Sequence, residues 1–223
     1  MRLRGIACDY DRTLAKQGRV APKTVGALRR ARVSGRKMIL ITGRTVDDLR
    51  TVFSELSVFD LVVAENGALL FDPARGSEEY LCAAPPERFL RGLREQRVPF
   101  TIGKRVVATV RPHQIIVLKL VEQLKLGLEV AFNRESVMVL PSGVDKGTGL
   151  AAALLRMGVA PAEVVGIGDA ENDLPFLRLC GVSVAVANAI GSLKEKVDLV
   201  TRAHYGAGAT EIIDRVVAGA SLR

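Results

Sequence analysis

Three observations predict an α/β protein with a doubly wound, Rossmann-like parallel sheet and a smaller inserted α+β domain. Short apolar runs alternate with helical stretches of roughly ten to fifteen residues in the first third of the chain, as in βαβ units. The same alternation resumes after residue 141. Between these two parts, helices alternate instead with longer strand-rich stretches. The expected division is a core of residues 1–81 and 141–223, with residues 82–140 inserted into it.

Each element has its own reason. Leu3 to Cys8 is an apolar run ending on Asp9 and reads as a buried strand. Pro22 opens a helical stretch that Gly35 ends. Lys37 to Ile41 is the next strand and closes on Thr42-Gly43-Arg44. Val46 to Leu56 has helical spacing, and Asp60 to Ala64 holds a third strand. Ala68 to Phe71 and Tyr80-Leu81, joined by a polar turn, read as an antiparallel hairpin. The insert runs helix 87–96, strand-rich 98–110, helix 113–126 and strand-rich 128–140. Beyond Ser142-Gly143 come a helix at Lys146 to Met157, a strand at Val164 to Gly168 and a helix at Asn172 to Leu179. A strand at Val182 to Val186 and a helix from about Ala209 to Val217 complete the chain. An insert in a fold that continues on both sides of it suits a mobile cover over strand ends.

Composition sets outer limits. With 48% apolar and 25% charged residues, a chain of 223 residues can bury a proper core. No apolar run approaches the roughly 18 residues of a membrane span. Asp9 and Asp11 come too early for a signal peptide's apolar region. A cytoplasmic monomer or homodimer is the expectation. Cys8, Cys82 and Cys180 are an odd number without a CxxC pair, which argues against a disulfide framework. His113 and His204 are too isolated for zinc.

Four signals carry chemistry. Asp9-Tyr10-Asp11-Arg12-Thr13 places two carboxylates at the end of a strand, where a carboxylate nucleophile would need a cation and a proton-transfer partner. Thr42-Gly43-Arg44 offers a hydroxyl and backbone N–H groups at a helix start, which suits either an anion or a simple N-cap by Thr42. Lys146 opens a helix, where its ammonium can neutralise phosphoryl charge. Gly168-Asp169-Ala170-Glu171-Asn172-Asp173 crowds acidic groups after a strand. Their all-oxygen character points to Mg²⁺ rather than Zn²⁺. Gly147 to Ala152 also fits GxGxxA, but no strand runs directly into it, so a dinucleotide site is set aside.

In this order the motifs DxDxT, Thr-Gly-Arg, lysine and GDxxND resemble the haloacid-dehalogenase superfamily over nearly the whole chain. The insert's position is similar to the C2-type cap of Cof-like members, archaeal-type phosphoglycolate phosphatases and sucrose-phosphate or mannosyl-phosphoglycerate phosphatases. The resemblance implies Asp9 as nucleophile and metal ligand, and Asp11 as general acid and base that touches the metal through its backbone carbonyl. It implies Asp169 and Asp173 as the other Mg²⁺ ligands, with Asn172 supporting them. Thr42, Gly43, Arg44 and Lys146 would bind the phosphoryl group, with Asn66 and Asn188 beside the substrate. The implied partner is a small anionic phosphorylated substrate, not a membrane or nucleic acid.

One departure stands out. Arg12 occupies a position where the family usually has glycine, so it is either strained at positive φ or adds an anion contact. The insert holds ten Lys/Arg and five Glu, hence +5 of the chain's +8. Arg105, Arg111 and Arg134, in or beside strands, are expected to face the core more than Arg88, Arg91, Arg94 and Arg97 on a helix. The competing reading is a binding or regulatory domain whose basic insert docks an acidic partner or nucleic acid. The acidic cluster favours catalysis over it.

Overall fold

A computed structural model describes residues 3–222 of the chain. Its main sheet is built first from β1 (Gly5–Asp9), β4 (Lys37–Ile41) and β5 (Leu61–Ala64), after a two-stranded flap of β2 (Ala15–Lys16) and β3 (Arg19–Val20). The hairpin β6 (Leu69–Asp72) and β7 (Ser77–Tyr80) extends it. After the insert, β12 (Val164–Gly168), β13 (Val182–Ala185) and β14 (Leu199–Val200) fill the opposite side. The order is β14-β13-β12-β1-β4-β5-β6-β7, parallel from β14 to β5 and antiparallel beyond. The unbroken apolar runs make sense here: β1, β5 and β12 are buried at every position, as strands covered by helices on both faces must be.

Helices α1 (Pro22–Val33), α2 (Val46–Val52), α5 (Lys146–Met157), α6 (Leu174–Leu179), α7 (Gly191–Lys194) and α8 (Tyr205–Val217) cover this sheet. Pro22 sits at the start of α1, where its missing N–H costs nothing, and Gly35 follows its end with φ 83°. Helix α2 is shorter than its spacing predicts. It stops at Val52, and a 3₁₀ turn at Leu56–Val58 takes up the remaining apolar positions. Its N-cap is Thr45, which accepts from Asp48 N, and not Thr42. Helix α8 begins four residues before the predicted Ala209 and includes Gly206 and Gly208, which pack where any Cβ would strike Thr24, Leu14 or Thr201.

The insert forms α3 (Glu87–Glu95), β8 (Thr101–Ile102), β9 (Val107–Val110), α4 (Gln114–Leu124), β10 (Leu128–Asn133) and β11 (Ser136–Pro141). Its four strands make a separate antiparallel sheet, ordered β10-β11-β9-β8. Alternation along β11 sorts the side chains. Val137 and Val139 pack with Phe89, Leu93 and Val117 of the helices. Met138 and Leu140 join Val106 and Ala68 on the face turned to the main sheet.

The chain runs outward from β1 to β4 and β5, then returns to place β12 on the other flank of β1. This reversal opens a crevice at the carboxyl ends of β1 and β12. Asp9 ends the first strand and Asp169 follows the second.

Candidate active site

Burial concentrates charge in this crevice. Asp9, Lys146, Asp169 and Asp173 are each at most 4% exposed. Lys146 Nζ donates to Asp9 Oδ1 and to Asp173 Oδ1, both at 2.6 Å. The second oxygen of Asp173 accepts the backbone N–H groups of Asp169 (2.7 Å) and Ala170 (3.0 Å), which fixes the turn after β12. Lys146 reaches its place because α5 lies unusually close to the sheet. A Cβ on Gly149 would fall 2.5 Å from Val63, and one on Gly67 would fall 1.9 Å from the carbonyl oxygen of Asp145. Gly149 of the GxGxxA match thus permits close packing, as does Gly147, where a Cβ would fall 2.9 Å from the Pro175 backbone; Asp145 caps the helix with its side chain on Thr148 N.

Oxygens of Asp9, Asp169 and Asp173 lie within 4.8 Å of one another, near enough to share one ion. Burial, with Asp173 next, pushes the Asp9 carboxyl well above the usual carboxylate range, although Lys146 opposes this. Burial and then Asp173 also raise Asp169, against Arg134. Burial would lower Lys146, but Asp173 and Asp9 outweigh it, so the ammonium is held charged. Three buried carboxylates of oxygen-only character against one buried ammonium fit a hard divalent cation. The Cys8 thiol, raised by burial and then by Asp9, is no nucleophile.

The Asp11 carboxylate does not join the cluster. Arg44 donates to both its oxygens, Nε at 2.6 Å and Nη2 at 2.9 Å, and reaches Asp48 through Nη1 at 2.6 Å. Arg44 is therefore committed to Asp11 and Asp48, with its guanidinium over the Tyr10 ring. Thr42 is buried, and its Oγ1 accepts from Arg44 N at 3.1 Å. Gly43 lies under Met138 of the insert, whose sulfur would be 3.3 Å from a Cβ there.

Asn66 and Asn172 meet: Asn172 Nδ2 donates to Asn66 Oδ1 at 3.0 Å. Asn66 stands in a run of three positive-φ residues with Glu65 and Gly67. Asn188 is a clamp, donating to the Arg12 carbonyl at 2.7 Å and accepting from Tyr205 N at 2.6 Å. Both readings of Arg12 hold. Its φ is 64°, and its Nε lies 3.4 Å from Asp169 Oδ2.

Two contacts from the insert were not assigned from the sequence. Arg134, in the β10–β11 turn, donates through Nη2 to Asp169 Oδ2 at 2.8 Å. Fully buried Glu65 accepts the backbone N–H groups of Lys104, Arg105 and Val106 at 2.9, 2.6 and 3.0 Å. The surplus of basic residues in the insert pointed toward the first. For Glu65 the only signal was an acidic residue at the end of an apolar strand.

A family model described as haloacid dehalogenase-like hydrolase matches residues 6–93 and 106–213. The chain is 31% identical over 224 residues to phosphoglycolate phosphatase 2 of Saccharolobus solfataricus, covering 96% of this chain and 92% of that one. It is 32% identical over 217 residues to the phosphoglycolate phosphatase of Methanothermobacter thermautotrophicus, covering 96% and 98%. In fold it is similar to a solved Thermoplasma acidophilum protein, with a TM-score of 0.82 at 21% identity over 97% of this chain and 99% of that one. Among the described residues no helix is long and apolar enough to cross a membrane. With the crevice at the end of β1 and a family match on both sides of the insert, the chain belongs to the haloacid-dehalogenase-like hydrolases.

Proposed function

We propose that this phosphatase hydrolyses a small phosphorylated metabolite, phosphoglycolate-like or a sugar phosphate, with Mg²⁺ and through an aspartyl-phosphate on Asp9. The observation that carries the reading is the buried Asp9–Lys146–Asp173 ion triad, with Asp169 beside it, at the switch point of the sheet. The names of both relatives support the phosphoglycolate-like class. The unpaired Cys8, Cys82 and Cys180 suit a cytoplasmic setting.

Asp9, Asp169 and Asp173 would hold the cation, with the Asp11 backbone carbonyl. When bound, it supplies positive charge that offsets repulsion between carboxylates and phosphate. Asp9 attacks phosphorus, forming an Oδ–P bond as the ester P–O bond breaks, and Asp11 gives its proton to the departing oxygen. Water then attacks the same phosphorus, Asp11 takes its proton, and the Asp9–phosphorus bond breaks to release phosphate. Lys146 steadies Asp9 and the negative charge that builds on the phosphoryl oxygens. Because Arg44 engages both oxygens of Asp11, carrying a proton there requires one of those contacts to open. Residues 82–140 act in this reading as a cap that closes over the substrate.

The test is a panel of phosphorylated metabolites assayed with Mg²⁺ and with EDTA, using wild type and Asp9→Asn. The amide keeps the shape and an acceptor for Lys146 but is a poor nucleophile, so turnover should fall by about four orders of magnitude or more. Wild-type rates in Asp9→Asn, or full activity in EDTA, would refute the mechanism.

A further inference from the structure

We infer that Arg134 recognises a second anionic group on the substrate, a carboxylate, and so sets the choice among phosphate esters. This rests on the phosphatase reading above and names a residue and a substrate class for it.

The first ground is position. Among the described residues, Arg134 is the basic side chain of the insert that makes an ion pair with the carboxylate cluster. Three other cations of the insert are engaged elsewhere. Lys104 pairs with Glu78 and Arg94 with Glu87, while Arg105 lies over the Tyr80 ring at 3.9 Å. Arg134 is brought into the crevice by a turn, and that turn is braced by another arginine. Arg111 donates through Nε to the Arg134 carbonyl and through its backbone N to Glu135 O at 2.8 Å. Its guanidinium also covers the Phe132 ring at 5.4 Å. Of the three arginines expected to face the core, one therefore reaches the site and a second holds it there.

The second ground is a buried donor without a partner. The φ of Arg134, 53°, is the one that a two-residue turn between the paired Asn133 and Ser136 requires. Its Nε is buried without a hydrogen-bond partner among the described residues. A buried donor left without a partner at the edge of a site is the mark of a group held for a ligand.

The third ground is the shape of the donor. In Arg44 the Nε–Nη2 edge grips both oxygens of the Asp11 carboxylate. In Arg134 the same edge is half used, with Nη2 on Asp169 and Nε free. A carboxylate fits such a fork in a planar, two-bonded way. With Asp169 held by a cation, Nη2 would be released beside Nε, and a carboxylate on the far side of the substrate from phosphorus could take both.

Two substrates of like size isolate the effect: 2-phosphoglycolate carries the carboxylate and ethyl phosphate does not. For Arg134→Gln, the ratio of kcat/KM for phosphoglycolate to that for ethyl phosphate should fall about 10- to 100-fold, mainly through KM. Arg134→Lys, which keeps charge but loses the fork, should lie between. Equal losses on both esters would mean that Arg134 holds the phosphoryl group or the fold, and an unchanged ratio would mean that it reads nothing; either overturns the inference. If wild type hydrolyses neither ester nor any other in the Mg²⁺ panel, the phosphatase reading falls and this inference with it.

Discussion

At the ends of β1 and β12, four charged side chains are almost wholly buried and answer one another. The sheet above them turns Ala108, Met138 and Leu140 toward the core, and its polar contacts with the floor come from two turns. One turn, at 104–106, is gripped by Glu65; the other presents Arg134 to Asp169. The floor is preorganised by mutual charge pairing among residues locked in strand ends and helix starts. The insert is attached through the Glu65 and Arg134 contacts and through the apolar cluster of Ala68, Val106, Met138 and Leu140. If, as proposed, reactivity belongs to the floor and selectivity to the insert, the two are separately built layers, and damage to one should leave the other largely intact.

The largest break comes from the floor. Lys146→Met removes the ammonium between Asp9 and Asp173, leaving carboxylates buried without a partner. Such a loss costs about 3–5 kcal/mol. For a chain of this size that is roughly 6–20 °C in Tm. The pH dependence follows from the raised carboxyls. Asp9 and Asp169 sit above their unfolded values, so their contribution is full below about pH 4 and is lost as pH rises through the folded values. Lys146 is raised as well, so its own contribution persists up to about pH 10. Without the lysine, the carboxyls rise further. In EDTA, the Tm deficit should therefore be larger at pH 8 than at pH 5, and Mg²⁺ should restore part of it. Calorimetry at both pH values checks this. Equal deficits would mean that the cluster does not hold its charge as described.

A smaller change addresses the cover. Glu65→Gln keeps one acceptor oxygen but turns an NH₂ toward backbone N–H groups that need acceptors, costing about 1–3 kcal/mol. The effect should be local, with faster amide exchange at Lys104, Arg105 and Val106 and little change along β1 and β4. Uniform loss of protection would show that Glu65 supports the core instead of fastening the insert.

The sequence revealed the floor more fully than the cover, for a physical reason. Asp9, Lys146, Asp169 and Asp173 each follow a buried apolar strand or open a helix, so their convergence is dictated by chain direction alone. Strand β4 and helix α5 match their predicted limits because apolar period and caps coincide there. Contacts between the layers are different. Glu65 meets a turn about forty residues further on, and Arg134 meets Asp169 from thirty-five residues away, through backbone groups and rotamers without periodicity. Asn188, expected beside the substrate, also joins two loops, a pairing that leaves no pattern in the sequence. The flap of β2 and β3 is too short to leave a pattern.

The smallest predicted effect tests whether Arg12 belongs to the floor or only borders it. Its backbone is held independently of its side chain: its N–H donates to Ala15 O at 2.9 Å, and its carbonyl accepts from Asn188 at 2.7 Å. Arg12→Gly relieves a left-handed conformation that costs about 1 kcal/mol or slightly more. It adds chain entropy to the unfolded state worth about 0.5–1 kcal/mol. The lost pair with Asp169 is half-exposed on the arginine side and contributes at most about 1 kcal/mol. These terms nearly cancel, so Tm should move by no more than about 4 °C. Cation binding should respond more clearly. With one guanidinium withdrawn from Asp169, less positive charge opposes Mg²⁺, and half-saturation should fall a few-fold at low ionic strength. The gain should fade near 0.5 M salt, where screening acts within roughly 4–5 Å. Titration of Mg²⁺ against intrinsic fluorescence or Tm, at two salt concentrations, reads it directly. A Tm loss near 10 °C would place Arg12 within the supporting structure of the floor. A salt-independent shift would attribute the effect to altered loop geometry instead of charge.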